Sequence, residues 1–145
     1  MNALEKIVDV ITVTILMFLL PILYYGSRNQ VAETVMAGQI GKSFLKRIST
    51  AGEITVPVWN ELERELKHYG CTEIVLERER KLYEPAEDGT VWERTYCMTK
   101  EEIEERLAEQ GRCLLQKGDR MRLILYRGSV PMVYCERVRT GAAGG

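Results

Sequence analysis

The alternation of apolar and polar positions divides the chain into two parts. Residues 7–25 read IVDVITVTILMFLLPILYY, nineteen positions with Asp9 as the only charge. As a helix this run spans roughly 28 Å at about 1.5 Å per residue, close to the ~30 Å hydrocarbon thickness of a bilayer. A surface helix of a globular domain would carry a polar stripe, and residues 10–25 have none. The pattern therefore predicts a transmembrane anchor over residues 1–26. Asp9 lies within one turn of its start, where it can reach the interface. Thr12 and Thr14 can bond back to the helix. Tyr24 and Tyr25 fall at headgroup level. Pro21 removes one backbone bond and predicts a kink near the end. The competing reading is a cleaved signal peptide. Against it, Lys6 is the only basic side chain ahead of the run, and the bulky Leu23, Tyr24 and Tyr25 precede Gly26 and Ser27.

Residues 27–50 keep helical spacing, with Val31, Val35, Met36, Ile40, Phe44, Leu45 and Ile48 at steps of one, three and four. They predict a helical extension whose stripe packs against neighbouring helices, or else a membrane-proximal linker. Gly38 and Gly41 each weaken such a helix by about 1 kcal/mol, and Gly38 is the expected point of breakage.

Residues 51–138 predict a folded domain. Thr55 as N-cap and Pro57 in the first turn open a helix that Gly70 ends, with Val58, Trp59, Leu62, Leu66 and Tyr69 as its apolar face. A strand follows over 71–83, with Ile74 and Leu76 on one side and Val75 and Glu77 on the other. Its sign-alternating end, Glu77-Arg78-Glu79-Arg80, reads as a solvated strand end with cross-strand ion pairs. The turn-rich 84–89 returns the chain into a second strand over 90–96. Thr99 and Glu102 stand at capping-box spacing before a second helix that Gly111 terminates, with Ile103 and Leu107 inward. Residues 113–115 lead into a tight turn at 116–119. Met121, Leu123 and Leu125 then alternate with Arg122, Ile124 and Tyr126, the clearest strand in the chain. A last, edge strand covers 132–138, and residues 139–145 read as a flexible tail. The expected class is α+β: an N-terminal transmembrane helix, then a two-layer domain with two helices on a mainly antiparallel sheet.

Charge adds little. Taking Glu5, Lys6 and Asp9 away from the 20 basic and 21 acidic residues leaves the remainder balanced. A nucleic-acid binder would show a basic excess, so none is expected as partner. Cys71, Cys97, Cys113 and Cys135 all follow the apolar run, an even set that suits two disulfides on the oxidising side of a membrane. Cys71–Cys97 and Cys113–Cys135 is the pairing favoured among three. These cysteines tip the orientation to N-terminus cytoplasmic and domain extracytoplasmic. No CxxC pair supports a metal site. The single histidine, His68, reads as a surface residue, and the carboxylates of the second helix read as a solvated face. No catalytic signature, cofactor site or small-molecule substrate is evident, and no enzymatic activity is expected.

The opening MNALEKIVDVITVTILMFLLPILYYGSRNQ is similar to the first helix of type IV pilin-like proteins, with Glu5, Pro21 and Tyr24 in corresponding places. That resemblance implies that Glu5 pairs with the N-terminal amine of an adjacent subunit and that the helix forms a filament core. It departs from the family in that no basic leader with a glycine cleavage site precedes Met1. Either the leader is missing from this sequence, or there is none and the protein stays in the membrane. Residues 50–127 also resemble small anchored proteins of bacterial tight-adherence (Tad-type) pilus or secretion systems, through the strand IVLERERKLYEP, the helix TKEEIEERLAEQG and the LLQKGDRMRLILYR hairpin. Together these imply a structural, pilin-like or minor-pilin-like component at the cell membrane or in a surface filament. Its partners would be lipid and other pilin-like or secretion-system subunits, including further copies of itself. Glu5, Asp9 and Pro21 are the expected assembly residues. The alternative is a single-pass tethered binding or sensor module that does not polymerise.

Overall fold

A computed structural model describes residues 2–141. The chain forms two compact units, Met1–Val35 and Met36–Gly145. In order, its elements are α1 (Ala3–Ala51), β1 (Glu53–Thr55), α2 (Val56–His68), β2 (Glu73–Pro85), β3 (Val91–Met98), α3 (Lys100–Gln110), β4 (Arg112–Leu114), β5 (Arg120–Arg127) and β6 (Val130–Arg137). The architecture is the expected α+β class, a long apolar helix followed by a domain of helices and antiparallel sheets.

The first unit is helical, and α1 continues without interruption through Pro21. The second unit contains the last part of α1, two further helices and two sheets. One sheet has the order β3-β2-β5-β6, all antiparallel, and the other pairs β1 with β4. The larger sheet is two-sided in a simple way. Ile74, Leu76, Met121, Leu123 and Leu125 face the core and are buried. Val75, Glu77, Arg122 and Ile124 take the other face. This is the period-two alternation that one buried sheet face requires.

The helices supply the second layer. Trp59, Leu62 and Leu66 of α2 and Ile103 and Leu107 of α3 are buried in the same cluster as Ala37, Phe44, Leu45 and Ile48 of α1. Phe44 and Trp59 meet at 6.1 Å between ring centroids. Each buried large apolar side chain contributes about 1.5–3 kcal/mol.

Three sequence expectations change here. First, Gly38 does not break the helix, because these glycines serve packing. A Cβ on Gly38 would lie 2.5 Å from the Tyr134 hydroxyl, and one on Gly41 would lie 3.1 and 3.2 Å from methyls of Leu123 and Leu125. Lacking side chains, this helix face lies directly on the sheet. From Ile40 to Ile48 the stripe therefore packs against the sheet as well as α2, and not against helices alone, while Val31, Val35 and Met36 stay exposed. Second, Thr99 occupies the N-cap position of α3, but its hydroxyl makes no cap bond. Glu102 instead accepts a hydrogen bond from the Tyr96 hydroxyl at 3.1 Å, so no capping box forms. Third, β1 is an element that periodicity did not predict. Its three residues pair Ile54 with Cys113, both buried, and close the core beside α2 and α3.

The segment read as a flexible tail starts pinned. The Arg139 and Thr140 amides both donate to the Ser49 carbonyl, at 3.0 and 3.2 Å, and Val138 is buried. Gly52 takes a left-handed φ of 74° where the chain leaves α1, and its Cα faces the Thr140 carbonyl too closely for any side chain. Residues 142–145 of that expected tail lie outside the described residues.

The close approach at Gly41 is testable. Gly41→Val should destabilise the folded domain by about 1–3 kcal/mol through overpacking. Gly26→Val, with nothing within 4 Å, should leave it unchanged. Chemical denaturation of both variants measures the difference.

Candidate functional site

Residues 4–25 of α1 form the most distinctive surface. Every one of them is exposed, including Ile11, Leu16, Phe18, Leu20 and Leu23, each at half or more of its full accessibility. A run of this length and composition, mean hydropathy 2.4 and none of it buried, suffices to cross a membrane; a signal sequence meets the same criterion. The helix has handled its few polar groups locally. Thr12 and Thr14 donate to the carbonyls of Val8 and Val10, at 2.8 and 2.7 Å. These hydroxyls therefore need no outside partner. Glu5 falls in the first turn, where the helix dipole favours a carboxylate. Asp9 is one turn on and so shares its face. Pro21 lies within the helix, and Tyr24 and Tyr25 meet edge to face at 6.1 Å.

The second unit holds a buried ionic network that the sequence reading missed. Glu77-Arg78-Glu79-Arg80 alternates sign, and β2 alternates sides, so the two charges separate by face. Glu77 turns outward and accepts from Arg122 Nε at 2.9 Å, the expected cross-strand pair. Arg78 and Arg80 turn inward. Arg80 donates Nε and an η-nitrogen to the two oxygens of Asp119, at 2.9 and 2.8 Å, a bidentate pair. Asp119, only 2% exposed, also accepts from the Gln116 amide at 2.8 Å. The Asp119 amide donates to the Gln116 carbonyl and the Asp119 carbonyl accepts from the Val138 amide, so the side chain ties β2 to the turn before β5 while the backbone ties that turn to the residues after β6. The hydrogen bond to Asp119 raises the Arg80 pKa above the ordinary arginine value. Arg78, 2% exposed, has its pKa lowered by burial and then by the neighbouring Arg80 charge. Its Nε has no hydrogen-bond partner among the described residues. A solvated strand end is thus the wrong description for these two arginines.

The disulfide expectation is also corrected, since all four cysteines are free thiols. The topology keeps them apart. Cys97 and Cys135 are exposed on the two outermost strands of the four-stranded sheet, about 14 Å apart at ~4.8 Å per strand. Cys97 pairs in register with Glu79, eight residues beyond Cys71 along the chain and roughly 20 Å away or more. Cys113 is buried against Ile54, on the opposite side of the sheet from Cys135. None of these separations suits a bridge, which needs Cα atoms within about 7 Å. Burial raises the pKa of Cys71 and Cys113, the nearby arginines opposing it in part. With no bridge, the thiols give no reason to assign the domain to an oxidising compartment.

His68 is exposed and meets Tyr69 edge to face at 5.2 Å. Among the described residues no three His, Cys, Asp or Glu side chains stand together as a metal site. The clefts are shallow; one of about 330 Å³ lies between α1 and α2, lined by Ile40, Phe44, Val58 and Leu62 and rimmed by the Arg47–Glu61 pair. Comparison with family models, curated proteins and solved structures returns no match.

Two measurements check this description. Asp119→Asn leaves two inward arginines without their carboxylate and should cost about 3 kcal/mol in denaturation experiments. A thiol reagent at neutral pH should modify Cys97 and Cys135 rapidly and Cys71 and Cys113 only after unfolding. Four equally fast thiols, or none, would contradict the burial pattern.

Proposed function

We propose that the chain is a structural, pilin-like subunit held in a membrane by the N-terminal helix, with the α+β domain outside the bilayer. One observation carries this reading: an unbroken helix in which residues 4–25 are apolar and exposed, charged only at Glu5, Lys6 and Asp9. A protein surface of this kind needs lipid or another helix against it. Lipid alone would satisfy the apolar side chains, but carboxylates of Glu5 and Asp9 drawn below the interface would then lack a partner, which is costly. A neighbouring helix, with an amine near its start, satisfies both. The orientation with the amino end cytoplasmic is part of the proposal and does not draw on the cysteines. In this reading the second unit presents surfaces to other subunits and carries no catalysis; the ionic network around Asp119 is spent on holding the fold.

The test is assembly against insertion. Tagged Glu5→Ala copies, co-expressed with untagged parent, should reach the membrane fraction as well as tagged parent does. They should recover about tenfold less untagged protein, the factor for ~1.4 kcal/mol of lost pairing. Equal recovery would refute a subunit contact at Glu5.

A further inference from the structure

The two outermost strands of the four-stranded sheet, β3 and β6, each have a strand partner on one side only among the described residues. Both are eight residues long. β3 is exposed at every position from 91 to 97, and β6 is exposed or half-buried throughout. An open edge of this length is a template for another strand, and proteins that stay monomeric blunt it with bulges, proline or inward charge. β6 carries Pro131 at its start; β3 has no proline, sets Arg94 on the face of the buried Met98, and presents Val91, Trp92 and Tyr96 to solvent.

The edges differ in charge. Residues 81–94, around the β2–β3 turn, hold Glu84, Glu87, Asp88 and Glu93 against Lys81 and Arg94, with Lys81 on Glu93 at 2.6 Å. Residues 127–139, around β6, hold Arg127, Arg137 and Arg139 against the single acid Glu136. Exposed Val130 and Val133 give that edge an apolar surface as well. The strands alternate in direction across the sheet, so β3 and β6 run opposite ways. A second copy in the same orientation, set beside the first, therefore brings its β3 antiparallel to the first copy's β6, outer faces on the same side.

We propose that the partner of this domain is a second copy of the chain, joined head to tail by pairing β6 of one copy with β3 of the next. The register that sets Arg137 opposite Glu93 also sets Glu136 opposite Arg94, two opposite-charge pairs. It places the exposed Cys135 of one copy and Cys97 of the next on the same face as diagonal neighbours, with Cβ atoms about 7–8 Å apart. Each copy then offers one edge and receives on the other, a heterologous contact that builds rows in place of closed dimers. This pairing deepens the subunit role proposed above by naming the partner of the second unit, yet it needs no contact made by residues 4–25.

The experiment is cross-linking of the full-length protein, in membranes or detergent, with a short bismaleimide reagent. The expected result is a ladder of dimers, trimers and higher species. Cys97→Ser alone and Cys135→Ser alone should each abolish it, and an equal mixture of the two variants should give dimers and nothing larger. Arg137→Glu should lower the yield several-fold, and adding Glu93→Arg in the same chain should restore it. No ladder from the parent protein, dimers from Cys97→Ser alone, or an unchanged yield with Arg137→Glu would each overturn the pairing. The two proposals fail separately: a chain that stays in the membrane and gives no ladder refutes the edge contact alone. A chain found free of membrane that still ladders refutes the membrane role alone.

Discussion

Covering apolar surface is the constraint on which both units depend, and they meet it in opposite ways. The domain from Met36 onward covers its own: two sheets, two short helices and the end of α1 bury a common cluster from Ala37 to Val138. Residues 4–25 have no such cover, although covering each large apolar side chain is favourable by about 1.5–3 kcal/mol. A bilayer or a neighbouring helix would supply that cover. The proposed membrane role rests on that imbalance, and the proposed subunit contact rests on the carboxylates of Glu5 and Asp9 within the apolar run.

Within the domain, the same constraint sets the details. The sheet and α1 approach closely because Gly38 and Gly41 put no side chain between them. The inward row of β2 that begins with Ile74 and Leu76 continues into Arg78 and Arg80, so charge enters the core side of the sheet and has to be matched. Asp119 matches Arg80 with two bonds and fixes the turn before β5 to the chain after β6. The polar network and the apolar core thus secure the same three strands from different ends.

Much of this was legible in the sequence. The alternation at residues 121–126 and the helical spacing of Trp59, Leu62 and Leu66 gave their elements and buried faces directly, because one strong period governed each. Short or long-range features were not legible. β1 is three residues long and exists only because β4 lies opposite. The glycines of α1 look like helix breakers until the sheet beneath them is known. The four cysteines look like two bridges until strand order separates them. Sign alternation at 77–80 looks like a solvated end, since sequence shows the period of two but not which face is covered. For the apolar helix the sequence said nearly everything the structure says, because an exposed run without partners is defined by composition alone.

The most direct measurement is the identity of the chain found in membranes after alkaline extraction. The account predicts that mass spectrometry of the extracted pellet finds the mature protein with residues 4–25 still attached. A mature chain that begins beyond Tyr25 and partitions into the soluble fraction would contradict it.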